Sequence, residues 1–175
     1  IHGPYADLIP GARDELITKA TNYRMQQAYD VAKKMDANFV VYHNGYYPKT
    51  YSYIEWMQRT PTYWNDFKEG KEDDDIKIHI ENVHEEDYFL LNELMEEIHD
   101  EKTSVCLDVG HVNAYSKADV MEWMKILKKY IKHIVTLKSK ILQHITPNCL
   151  LRPFKILSII LSMYIKKIKG AKILK

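Results

Sequence analysis

Four polar residues in this 175-residue chain each stand at the end of a short apolar run: His2, His43, Glu81 and Asp108. Gaps of 41, 38 and 27 residues separate them, which suits one strand–loop–helix–loop unit apiece. A chain that alternates in this way is expected to fold as α/β, with parallel strands and outer helices. The C-terminal ends of parallel strands share one edge of the sheet. The four side chains should therefore gather on one face.

The intervening segments carry matching helical signals. Asp14 to Met35 places Ala28, Val31, Ala32 and Met35 at the i, i+3, i+4, i+7 spacing of an amphipathic helix. Phe39 to His43 reads as a strand, and Tyr51 to Glu69 as a helix that Pro61 breaks or kinks. Ile76 to Ile80 is the next expected strand, running into Glu81 and Asn82. Tyr88 to His99 reads as a helix that gathers Leu90, Leu91, Leu94, Met95 and Ile98. Val105 to Leu107 reads as a strand ending at Asp108. Ser116 to Asp119 resembles a capping box, opening a helix with Val120, Trp123, Met124 and Leu127 on its core face. Ile131 to Val135 closes the series as a strand. About five strands thus occupy residues 1–134, whereas a closed (β/α)8 barrel takes about 250 residues. A partial barrel of about five of eight units is expected. Ile1-His2 reads as the end of a strand already under way, so the chain is expected to be a fragment.

Charge divides the chain sharply. All 24 acidic residues lie at or before Glu122, while Trp123 to Lys175 carries 13 Lys or Arg. The first part is therefore near −12 and the last part near +13, an unusual break for one domain. No secretory signal pattern is visible, and the apolar stretch Ile156 to Ile165 is too short to span a bilayer. Cys106 and Cys149 are too few for a disulfide framework or a CxxC site, which points to a reducing, cytoplasmic setting.

His2, His43, Glu81, Asp108 and His111 are the residue types a divalent-metal site needs, with imidazole and carboxylate suiting Zn²⁺ or Mn²⁺. Taken singly, each has a plainer reading. His43 before Asn44-Gly45 suits a turn, Glu81 a loop cap, and Asp108 with His111 around Gly110 ordinary turn chemistry. Their coincidence at successive strand ends favours the metal site. His79, His84, His99 and His144 are read as structural, and Glu72 to Asp75 as a solvated loop. Trp56 and Trp64 suit either the lining of the connection after His43 or the core.

The segments "HGPY" at 2–5, "VVYHNG" at 40–45, "IHIEN" at 78–82 and "CLDVGHVNAYS" at 106–116 resemble the xylose isomerase-like TIM-barrel superfamily. That superfamily includes sugar phosphate isomerases and epimerases and the endonuclease IV type of apurinic endonuclease. The resemblance implies metal ligation by Glu81 and Asp108. It gives His111 to metal in the endonuclease branch and to substrate in the epimerase branch, and makes His2 and His43 ligands in the multi-zinc branch. It fails after residue 134. A ligand histidine is expected where Val135 stands, and no later Asp-x-His or final glutamate follows. Residues 135–175 are accordingly expected to derive from a shifted reading frame or truncated gene. The alternative is a genuine basic amphipathic helix over Phe154 to Lys175, facing a membrane surface or acidic partner.

The implied function is divalent-metal-dependent sugar or sugar phosphate isomerisation or epimerisation through an enediolate. Glu81 and His111 would be catalytic, His43 and His111 would contact substrate, and a second carboxylate would come from later strands. The first alternative is a zinc phosphodiesterase at abasic DNA, using His2, His43, Glu81, Asp108 and His111 as ligands. The acidic first 122 residues and the lack of Asn-Leu within "HGPYADLIPG" argue against nucleic acid as partner. The other alternative is an inactive remnant whose open sheet edge favours homo-oligomers.

Overall fold

The computed structural model describes residues 1–98 and 100–135. Among these the chain alternates strand and helix. Helix α1 (Glu15–Lys34) leads to strand β1 (Phe39–His43), helices α2 (Tyr53–Met57) and α3 (Thr60–Lys68), and strand β2 (Lys77–Glu81). Helix α4 (Phe89–Glu97), strand β3 (Thr103–Asp108), helices α5 (Val109–Tyr115) and α6 (Val120–Leu127), and strand β4 (Ile131–Val135) follow. The sheet is parallel throughout and its spatial order is the chain order, β1-β2-β3-β4. A doubly wound sheet would reverse direction at a switch point. Unbroken order is the arrangement of a (β/α)8 barrel, here in part. The segment before α1 joins the same edge, since His2 bridges Val41 in the parallel sense and Gly3 N–H donates to the Val41 carbonyl.

Local chemistry explains the element ends. Asp14 caps α1 by accepting from Leu16 and Ile17 N–H, at 2.7 and 3.3 Å. Pro61 sits in the first turn of α3, where its missing N–H costs nothing. The expected long helix is therefore two helices, the second of which begins at the proline. The capping box lies three residues later than the sequence suggests. Asp119 and Glu122 form it at the start of α6, while Ser116 Oγ donates to the Glu86 carbonyl and accepts from Trp123 Nε1. The buried stripe of α1 is Thr21, Met25, Tyr29 and Ala32, and Val31 and Met35 face solvent at 46% and 67% exposure.

The core lies between the sheet and the helices. Tyr42 is fully buried, donates from its hydroxyl to the Met25 carbonyl at 2.8 Å, and packs beside Trp64 and Phe67. Val40 and Tyr42 therefore face the helical layer. By the two-residue alternation of a strand, Phe39, Val41 and His43 face the other way. Trp56 and Trp64 are both wholly buried, which assigns them to the core. No helix among the described residues is long and apolar enough to cross a membrane. The expectations for His99, His144 and residues 136–175, including the basic helix over 154–175, lie outside the described residues.

Candidate metal centre

Parallel register brings the polar strand ends together. His43 pairs directly with Glu81 across β1 and β2, so both project from the same sheet face. Asp108 lies two residues beyond Cys106, the partner of Glu81 on β3, and so shares that face. His2 arrives through the bridge to Val41, and His111 sits in the first turn of α5.

Glu81 is the hub. Its carboxylate is 4% exposed; Oε2 lies 3.0 Å from His2 Nε2 and 3.7 Å from His43 Nε2. Oε1 lies 3.5 Å from His111 Nδ1, which is 4.0 Å from Asp108 Oδ2. Two trios result, His2–His43–Glu81 and Glu81–Asp108–His111, each with ligand atoms within 4.8 Å of one another. Ligands held about 2.1 Å from one ion stand roughly 3 to 4 Å apart, so the His2–His43–Glu81 set fits a divalent cation, and Asp108, the other carboxylate of the second trio, could join it.

Electrostatics supports the same fit. His2 Nδ1 lies 2.7 Å from the Gly3 carbonyl and Nε2 lies 3.0 Å from Glu81 Oε2. Both ring nitrogens thus face acceptors, and a neutral ring has one N–H, so a second proton or a metal ion at Nε2 completes both contacts. The hydrogen bond to Glu81 accordingly raises the His2 pKa against the opposing effect of burial. Burial pushes the His43 imidazole down to about 4, which keeps it neutral and able to donate its lone pair. His111 Nδ1, the nitrogen nearest Glu81 and Asp108, donates to the Asn82 carbonyl at 2.8 Å; in that tautomer it does not ligate, and the free lone pair is on Nε2. Asp108 accepts from His111 N–H at 2.9 Å through Oδ1, capping α5 while Oδ2 remains with the cluster.

All five predicted site residues thus occupy one end of the sheet. The sequence reading missed the buried polar residues that support them: Asn44, Asn82 and Glu85, exposed by 0%, 1% and 4%. It also missed the aromatic rim, where Tyr5 stacks on His43 at 4.6 Å and Tyr115 meets His84 at 4.7 Å. A tyrosine three residues after His2 was the available signal for the first. His79 keeps the structural reading: it pairs across strands with Ser104 Oγ and packs against Phe39, which also meets His133. Val135, at the position where the resemblance calls for a histidine, pairs with Asp108.

Consecutive parallel strands with imidazole and carboxylate groups at their C-terminal ends define a (β/α)-barrel protein with its site on the upper face. The chain belongs to the xylose isomerase-like TIM barrel family, whose pattern matches residues 1–140. Two uncharacterised proteins of Methanocaldococcus jannaschii, MJ1311 and MJ1614, are 29% identical over 143 and 136 residues. Both alignments take in 77% of this chain, but 49% and 53% of the relative, so the chain spans about half the length of these curated relatives. The TTHB071 protein of Thermus thermophilus, solved after soaking with ZnCl2, superposes with a TM-score of 0.62 at 22% identity, over 71% of this chain and 52% of that one. D-psicose 3-epimerase of Clostridium cellulolyticum H10, solved with D-tagatose, gives 0.65 at 16% identity, over 77% and 50%. At such identities the solved structures establish the fold.

Proposed function

We propose that these residues form the metal-binding half of a divalent-metal-dependent isomerase or epimerase acting on sugars or sugar phosphates. The observation that carries the reading is Glu81, a buried carboxylate shared by two ligand trios at the upper edge of a parallel sheet. Glu81, Asp108, His43 and His2 would hold Zn²⁺ or Mn²⁺, with His111 Nε2 free for metal or substrate. When bound, such a cation supplies positive charge that polarises a carbonyl and offsets the negative charge of an enediolate. The side chains do the remainder. The Glu81 carboxylate would take the proton from the carbon next to the carbonyl, His111 would orient a substrate hydroxyl, and neutral His43 would line the pocket. The fold and the epimerase structures it matches support this reading. The chain's whole activity follows from it only with a second carboxylate on the opposite face of the substrate.

One observation favours a second reading. Glu81 is shared by two trios, His2–His43–Glu81 and Glu81–Asp108–His111, and a carboxylate common to two ligand groups suits a multi-zinc phosphodiesterase at abasic DNA. A third reading, an inactive remnant, draws on Val135 beside Asp108. Metal analysis of the purified chain tests the common premise. Ketose epimerisation and abasic-oligonucleotide cleavage, each assayed with added Mn²⁺ or Zn²⁺, then choose between the enzymes. Epimerisation without cleavage is expected; cleavage alone would overturn the first reading, and neither activity in a metal-loaded chain would favour the third.

A further inference from the structure

We propose that Asn44 and Asn82 are positioning residues for this centre, each adding one side-chain rung between strands where the ligands sit, and that Glu85 holds Asn44 in place; this rests on the metal-centre reading. The paired registers of β1–β2 and β2–β3 end at His43–Glu81 and Glu81–Cys106. The ligands therefore stand where ladder hydrogen bonds run out, and strand ends there would otherwise fray. In both places the residue directly after a ligand is an asparagine with at most 1% exposure.

Asn82 reaches from the end of β2 to both backbone polar groups of Asp108. Its Oδ1 accepts from Asp108 N–H at 2.7 Å and its Nδ2 donates to the Asp108 carbonyl at 3.0 Å. Those are the two groups that a neighbouring strand would satisfy. Its own carbonyl takes His111 Nδ1–H, so one residue holds two members of a trio. Asn44 does the equivalent one strand earlier. Its Nδ2 donates to the Glu81 carbonyl at 2.9 Å while Oδ1 accepts from Tyr46 N–H at 2.7 Å. Glu85 accepts a second hydrogen bond from Asn44 Nδ2 and one from Val83 N–H at 2.6 Å. Backbone donors and acceptors fix both amide orientations. Aspartate would lose the donor and alanine both functions, leaving buried backbone groups unpaired. Glutamine at 85 cannot accept from Asn44 and Val83 with separate oxygens, so one donor would face an amide NH2.

The test is Co²⁺ titration of the full chain at pH 8, followed by absorption spectrum and by equilibrium dialysis. Variants are Asn82→Ala, Asn82→Asp and Glu85→Gln, with Thr21→Val as a control for general destabilisation. Thr21 is buried in α1, accepts from Ile9 N–H at 3.0 Å, and belongs to neither ligand trio. Removing an outer partner of a metal ligand costs about 10- to 100-fold in affinity. That loss, with an altered cobalt band, is expected for Asn82→Ala, while Thr21→Val keeps wild-type affinity and band despite a lower Tm. Should Asn82→Ala fail to fold, Asn82→Asp and Glu85→Gln carry the same expectation with smaller losses. Wild-type cobalt affinity and spectrum in the folded Asn82 and Glu85 variants would overturn the positioning role and leave the metal centre standing. A wild-type chain that takes up no cobalt would overturn the metal reading and this proposal together.

Discussion

His2 Nε2 stands 3.0 Å from Glu81 Oε2, although the two are 79 positions apart in the chain. The contact joins the bridged N-terminal segment to the end of β2 across β1, and it sets an imidazole nitrogen against a carboxylate. Glu81 belongs to both trios, which makes the shared carboxylate the first target for substitution.

Glu81→Gln keeps the shape of the side chain and removes the charge common to both trios. Bound Zn²⁺ or Mn²⁺ per chain should fall, with affinity lost by about 100-fold or more, beyond the range for outer partners. Isothermal titration with either metal measures it. Near-normal affinity in this variant would show that Glu81 is not a ligand.

Asp108 serves two ends at once, capping α5 through Oδ1 and facing the cluster through Oδ2. Asparagine caps as well as aspartate, so Asp108→Asn should hold stability to within about 0.5 kcal/mol while metal affinity drops. Asp108→Ala should lose the affinity and also about 1 kcal/mol of stability. Urea unfolding of the metal-free variants separates the two effects, and equal stability for both would argue that the cap contributes nothing.

Gly3 lies against β1 with no room for a methyl group. A Cβ there would run into the Tyr42 ring and come within 3.1 Å of the Val41 carbonyl oxygen. Tyr42 is fully buried and cannot yield. Gly3→Ala should therefore cost about 1 to 3 kcal/mol and displace His2. Thermal unfolding reads the first effect and metal titration the second; an unchanged Tm would refute the close approach.

Burial lifts the Glu85 carboxyl from 4.5 to about 7, against its hydrogen bonds with Val83 and Asn44. An acid whose folded pKa is raised binds more protons folded than unfolded between those two values. Its contribution to stability is full below about 4.5 and is lost as pH climbs through 7. The whole window is worth at most roughly 3 kcal/mol at 1.36 kcal/mol per unit. Denaturant unfolding from pH 4.5 to 7.5 should show wild type losing stability relative to Glu85→Gln. The opposite slope would mean that Glu85 is ionised throughout.

Strands β1, β2 and β3 were legible because each is a short apolar run that stops at a charged or imidazole side chain, and parallel pairing then gathers those stops. The helices were harder. In α1 the sequence favours Val31 and Met35 by hydrophobicity, yet the buried stripe uses Thr21 and Tyr29, whose hydroxyls meet Ile9 N–H and Asp74. Helix α5 was hidden because Asp108, Gly110 and His111 also spell a turn, and only the cap geometry decides. Glu85 sits in the run Glu85-Glu86-Asp87, which composition alone would leave in solvent. Its burial depends on Asn44, 41 residues earlier, a relation no local window contains.

The order of strands in the sheet bears on how the centre is built. Each strand pairs with the one synthesised just before it, so none must be threaded between neighbours already in place. As a chain emerges from the ribosome N-terminus first, the docking of β2 completes His2, His43 and Glu81, and β3 later delivers Asp108 and His111. Vectorial assembly of this kind would bring one donor with each strand end through β2 and two with β3, so that the shared carboxylate would belong to the earlier trio before the later one exists.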